Sequence, residues 1–143
     1  MATPPEPATV PFPESQRTRV ALCESDALLR SLLGEWLQRA DYEPLPELAA
    51  SRRVALVVAD LPAPRQGGAA RIAGLRQRFP GAKVLAISGQ FMACLNGATA
   101  TALALGADAV LAKPFSSAVF IDAVRAIVPS ATLAPAGANE KQG

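Results

Sequence analysis

Between residues 18 and 128 the apolar positions alternate between two patterns. Short runs that are apolar throughout read as buried strands. Stretches with apolar residues three and four apart read as helices with one buried face. Arg19 to Cys23 is a run of the first kind and ends in acids. Over 26–39 the period changes: Leu28, Leu29, Leu32, Leu33, Trp36 and Leu37 predict a helix, and Asp26 is placed to cap it. Residues 42–46 (YEPLP) form a weak second strand, which two prolines assign to a sheet edge. Residues 47–53 leave room for two helical turns at most. Val54 to Ala59 is the clearest buried strand, and it delivers Asp60.

A Pro/Gly-rich loop over 62–68 leads into a helix over 69–79, with Ile72, Leu75 and Phe79 inward. After the Pro80-Gly81 turn, Lys83 to Ile87 is a fourth strand ending at Ser88. A helix over 92–105 is weakened by Asn96, Gly97 and two threonines and stopped by Gly106. Ala109 to Ala112 is a fifth strand ending at Lys113-Pro114. Ser116 caps a last helix over 117–128, with Phe120, Ala123, Val124 and Ile127 inward. Fully apolar strands alternating with helices predict an α/β fold, a doubly wound five-stranded parallel sheet covered on both faces, with its second helix truncated.

The ends differ from this core. Residues 1–17 carry five prolines, and 129–143 are rich in Ala, Pro and Gly, so both read as flexible tails around one domain at 18–128. Half the chain is apolar, enough for one core. A formal charge of +2 is too balanced to argue for nucleic acid or a membrane surface. Arg65, Arg71, Arg76 and Arg78 make a local basic cluster, read as a solvated helix face. Cys23 and Cys94 read as free thiols in a reducing compartment. Neither a signal peptide nor a membrane-length apolar run is evident, which predicts a cytoplasmic protein. Histidine is absent, excluding Ser-His-Asp and Cys-His catalysis and His-ligated metals within this chain.

In such a sheet, ligands bind beyond the carboxyl ends of the strands. Polar residues gather at four of those ends: Glu24-Ser25-Asp26, Asp60, Ser88 and Lys113. Singly, each is an ordinary turn former or cap. Together they supply a carboxylate able to attack a phosphoryl group, further oxygen donors for a divalent cation, and a hydroxyl and an ammonium to hold transferred oxygens. The phosphate loops GxGxxG and GxxxxGK[ST] and the GxSxG elbow are missing, which argues against a small enzyme on this sheet.

The segments VALCESDALLR (20–30), VVADLPAPRQGG (57–68), LAISG (85–89) and GADAVLAKPF (106–115) resemble the signature blocks of bacterial two-component response-regulator receiver domains, in the same order. The resemblance covers 18–128. It implies a flavodoxin-like receiver fold, here as a stand-alone module rather than an enzyme. It also implies Asp60 as phosphoacceptor, Glu24 as the first residue of an acidic pair, and Pro62 as a backbone carbonyl ligand of Mg²⁺. Ser88 matches the switch hydroxyl, Lys113 the lysine that contacts the phosphoryl group, and the bond before Pro114 is expected to be cis.

Three departures accompany it. Ser25 replaces the second acid, so Mg²⁺ binding is expected to be weak or absent at that ligand. Val110 stands where many receivers have an aromatic switch residue. The span from Glu24 to Asp60 is short, hence the truncated second helix. Gly89 beside Ser88 either leaves the site open or serves a simple turn.

By resemblance the partners are a histidine kinase or phosphotransfer protein, and a downstream protein on the face running from the fourth strand to the last helix. A homodimer stays open. Two readings remain: a phosphorylated receiver in a two-component phosphorelay, or a pseudo-receiver that binds partners without regulated phosphorylation.

Overall fold

The computed structural model describes residues 17–47, 53–91 and 99–130. Five strands form one parallel sheet: β1 (Thr18–Cys23), β2 (Tyr42–Pro46), β3 (Leu56–Asp60), β4 (Lys83–Ser88) and β5 (Ala109–Ala112). Their order is β2-β1-β3-β4-β5, so the chain reverses direction across the sheet between β1 and β3. The helices are α1 (Ala27–Arg39), α2 (Gly68–Arg78), α3 (Thr99–Leu105) and α4 (Ser117–Ile127). This is the doubly wound sheet predicted from the apolar runs.

The runs are continuous because both faces of the sheet are covered. In β3, Val57 and Ala59 point to one side, where Ile72 and Leu75 of α2 and Leu105 of α3 pack. Leu56 and Val58 point to the other, against Leu33 and Leu37 of α1 and Phe120 and Val124 of α4. Leu33, Leu37, Phe120 and Val124 are fully buried. Side chains of this size each contribute about 2 kcal/mol by leaving water.

Strand β2 lies at the edge, as its prolines require. Pro44 and Pro46 share one parity along the strand, so their missing N–H groups fall on the same side. The connection from β2 to β3 spans nine residues, 47–55. Of the residues 47–53 where a truncated second helix is expected, 48–52 lie outside the described residues. Residues 92–98, with Cys94, also lie outside them, so the predicted 92–105 helix is seen as Thr99–Leu105.

Two expectations change on folding. The apolar stripe of α1 is narrower than its sequence implies: Leu33 and Leu37 are buried, but Leu28 is 84% exposed. Leu32 is 41% exposed too, while Leu29 packs against the core, so the covered stripe runs through Leu29, Leu33 and Leu37. The arginine cluster of α2 is not simply solvated. Arg71 and Arg78 both bond Glu47, at the end of β2. Arg76 donates to the Gly106 carbonyl and pairs with Asp108 ahead of β5. Three arginines thus tie α2 to opposite sides of the sheet. Arg65 makes no such tie among the described residues.

At the start of α2 the backbone itself is constrained. Gly67 has φ +90°, in the left-handed region. A Cβ on Gly68 would sit 3.0 Å from Leu105 Cδ2, so any side chain here would press on the packing of α2 against α3.

Candidate functional site

The polar strand ends converge beyond the carboxyl edge of the sheet. Asp60 ends β3, and its neighbours in the sheet deliver Glu24 after β1 and Ser88 at the end of β4. Lys113 follows β5, and its backbone N–H donates to the Ser88 carbonyl at 3.0 Å, extending the ladder to this residue. The Lys113–Pro114 peptide is cis, as expected.

Lys113 joins the acids. Its Nζ donates to Asp60 Oδ1 at 2.7 Å and lies 3.1 Å from Glu24 Oε1. Both carboxylates are withdrawn from solvent, with side chains 9% and 2% exposed. Burial alone would pull the Lys113 ammonium down, but contacts with Asp60 and Glu24 outweigh it and hold the group above its ordinary range. The lysine is therefore firmly cationic.

Glu24 has a second attachment. Its Oε2 accepts from the backbone N–H of Asp26 at 3.0 Å. Its Oε1 is buried and has no hydrogen-bond partner among the described residues, the ammonium contact being outside hydrogen-bonding geometry. Asp26 turns away to cap α1, where Oδ1 accepts from Leu28 and Leu29 N–H. It does not replace the missing acid. Ser25 is exposed.

Ser88 is fully buried, and its hydroxyl accepts from Gln90 N–H at 3.0 Å. It therefore stands one strand from Asp60 without joining the Lys113 cluster in this state. Among the described residues a Cβ on Gly89 would meet nothing within 4 Å. Pro62 is exposed and opens the loop after β3, at one end of a groove of about 1060 Å³ between α2 and α3. Val110 is buried in the sheet.

Sequence reasoning missed Arg30. Its guanidinium donates to the Glu24 backbone carbonyl at 2.8 Å, fixing the strand end that presents the acid. The available signal was position: Arg30 falls one turn into α1, four residues after the capping Asp26.

Among the described residues no group of three or more His, Cys, Asp or Glu side chains gathers to hold a metal. The pocket offers two carboxylates against one ammonium. That donor set still suits a hard cation, because Mg²⁺ commonly takes one or two carboxylates and keeps several waters. Glu24 Oε1, held by the ammonium alone, is an oxygen such an ion would also engage. A hydroxyl in place of a third carboxylate lowers the attraction.

No protein-family model matches the chain, and no curated protein does so. Among solved structures, the chain is similar to a response regulator from Burkholderia pseudomallei that carries a phosphorylated aspartic acid, a calcium ion and citrate. The identity is 20% over 88% of this chain and 75% of that one, with a TM-score of 0.60. It is similar to the Vibrio cholerae chemotaxis protein CheY4 at 17% identity, over 78% of this chain and 98% of that one, with a TM-score of 0.63. It is also similar to a response regulator receiver protein from Burkholderia phymatum at 27% identity, over 77% and 94% of the two chains, with a TM-score of 0.58. No helix among the described residues is long and apolar enough to cross a membrane.

Proposed function

Because the chain has the receiver-domain fold of the response regulators, we propose that it is a phosphoryl-accepting signalling module with Asp60 as the acceptor. The observation that carries this reading is the Lys113 ammonium closing on Asp60 and Glu24 from three different strand ends. A structural role alone has no need to hold two carboxylates and a lysine together out of water.

The chemistry is a transfer from a phosphohistidine of a partner kinase or phosphotransfer protein. The Asp60 oxygen that Lys113 leaves free attacks phosphorus. The phosphorus–nitrogen bond breaks as the phosphorus–oxygen bond forms, and the imidazole leaves with its electron pair and takes a proton from solvent. Lys113 then holds a phosphoryl oxygen, and the Ser88 hydroxyl donates to another after leaving Gln90 N–H. Glu24, Asp60 and the Pro62 carbonyl would hold Mg²⁺, which would neutralise charge building on the transferred oxygens. Output passes through protein contacts on the face from β4 to α4.

The second reading is a pseudo-receiver that binds partners without regulated phosphorylation. The neutral, exposed Ser25 favours it. Amide NMR with Mg²⁺ and beryllofluoride, an acyl-phosphate mimic, separates the two. Shifts at Ser88, Gly89 and Lys113 that vanish in Asp60→Asn support phosphorylation, and their absence supports the pseudo-receiver. Intact mass after incubation with a small phosphodonor is a second check.

A further inference from the structure

On the sheet face opposite α2 and α3, helices α1 and α4 lie side by side without closing completely. A groove of about 230 Å³ remains between them. Trp36, Ala40, Ala118 and Ile121 form its apolar lining, and Arg39 and Arg125 stand at its margins. Among the described residues no acidic side chain lines it. It includes none of the residues of the Asp60 site.

The aromatic wall is held in place from behind. The Trp36 ring lies 6.0 Å from Phe120 and 6.4 Å from Phe115, centroid to centroid. Phe115 and Phe120 stack at 5.6 Å with 14° between their planes. Trp36 is half-buried, so it is fixed on one side and accessible on the other. An aromatic surface already ordered in this way loses little entropy on binding.

The charges select an occupant. Arg125 has no ion-pair or hydrogen-bond partner among the described residues. Arg39 pairs with Glu35 at 2.8 Å, but the two side chains are 74% and 54% exposed. Exposed pairs of this kind contribute only a few tenths of a kcal/mol, so an incoming carboxylate displaces Glu35 cheaply.

We propose that this groove docks an acidic polypeptide segment of a partner protein. The segment inserts one large apolar side chain against Trp36 and sets carboxylates against Arg125 and Arg39. The groove has room for one side chain of leucine or phenylalanine size. Its two positive margins, with no acid in the lining, supply the complementarity. The site uses nothing at Asp60 and stands independently of the phosphorylation reading.

Trp36 is the only tryptophan in the chain, so its emission reports on the groove directly. The full chain is titrated with a capped hexapeptide carrying a central leucine–phenylalanine pair flanked by glutamates. Two control peptides replace the glutamates by lysines or the apolar pair by glycines. The glutamate-flanked apolar peptide is expected to shift Trp36 emission, to bind at least about fivefold tighter than either control, and to weaken with added salt. Arg125→Glu, an exposed change that leaves the fold intact by circular dichroism, is expected to reverse the preference toward the lysine-flanked peptide. Asp60→Asn is expected to bind as the wild type does. Equal binding of the three peptides, or an unmoved Trp36, overturns the proposal. Sedimentation showing a dimer that Arg125→Glu dissociates also overturns it, because the occupant is then a second copy of this chain.

Discussion

Lys113 Nζ lies 2.7 Å from Asp60 Oδ1 and 3.1 Å from Glu24 Oε1, so one cation is shared by two carboxylates delivered by different strands. Removing it leaves both acids withdrawn from water without a counter-charge. Lys113→Met is therefore expected to lower stability by about 2–3 kcal/mol, at the lower end of the cost of breaking a buried pair because the lysine is 23% exposed. Urea denaturation at neutral pH reads this as a lower midpoint. An unchanged midpoint means the acids are better solvated than their burial implies.

Ser25→Asp restores a third carboxylate beside Glu24. It is expected to tighten Mg²⁺ binding about tenfold, since calcium and magnesium sites are tuned by the number of charged ligands. Isothermal titration with MgCl₂ gives the constant directly. Loss of Mg²⁺ binding in Glu24→Gln, which removes the charge with little change of shape, is the companion result. If Ser25→Asp leaves the affinity unchanged, the exposed position at 25 does not face the ion.

Glu47 carries the link between β2 and α2. Its carboxylate is 3.2 Å from Arg71 and 2.7 Å from Arg78, with side chains roughly a third exposed. Burial pushes its pKa up, but the two guanidinium groups outweigh that and bring it down. A lowered pKa gives stability that is present above the unfolded value of 4.5 and is lost as the pH falls through the folded value. Glu47→Gln is expected to cost about 1 kcal/mol at pH 7, discounted for exposure, with the difference from wild type shrinking below pH 4.5. Parallel urea midpoints for the two proteins from pH 3 to 7 check both points.

The Cys23 thiol is buried against the α2 face, and burial, with the Glu47 charge, pushes its pKa from 9.0 up to about 12. The raised value means its contribution to stability is intact below pH 9.0 and declines from there toward about 12. Lys113 and Tyr42 are raised too, so their contributions are also lost on the alkaline side. In a Cys94→Ser background, which leaves one thiol to count, Cys23 is expected to resist a disulfide reagent at pH 8 until urea unfolds the chain. Rapid native labelling contradicts the burial.

Two glycines of α2 should respond oppositely. A methyl group on Gly74 would project into open space, so Gly74→Ala is expected to gain about 0.5–1 kcal/mol. Gly68→Val places its branch against Leu105 and is expected to lose about 1–3 kcal/mol from overpacking. Thermal melts of both variants test the close approach of α2 and α3.

How far the sequence alone reveals the molecule follows the range of the interactions. Strand β3 is plain because sheet burial on both faces leaves an unbroken apolar run. The cap at Asp26 and the edge position of β2 are plain because both depend on a few adjacent residues. The four polar strand ends are also legible, since strand order places them at one edge. What cannot be read is set by contacts across 24 to 32 positions. Arg71 and Arg78 look like a solvated face until β2 brings Glu47 beside them, and Arg76 looks free until Gly106 and Asp108 arrive. The exposure of Leu28 and Leu32 is of the same kind: periodicity reports the face of a helix and says nothing about how wide a stripe its neighbours cover.

The prolines of β2 bear on how this molecule can associate. An exposed parallel edge is ordinarily a template on which another chain can add a strand. Here one edge carries Pro44 and Pro46, and the other is the four-residue β5. Neither offers a long row of free donors and acceptors. Growth of the sheet from molecule to molecule is therefore disfavoured at both edges, which leaves the helical faces as the better surfaces for association.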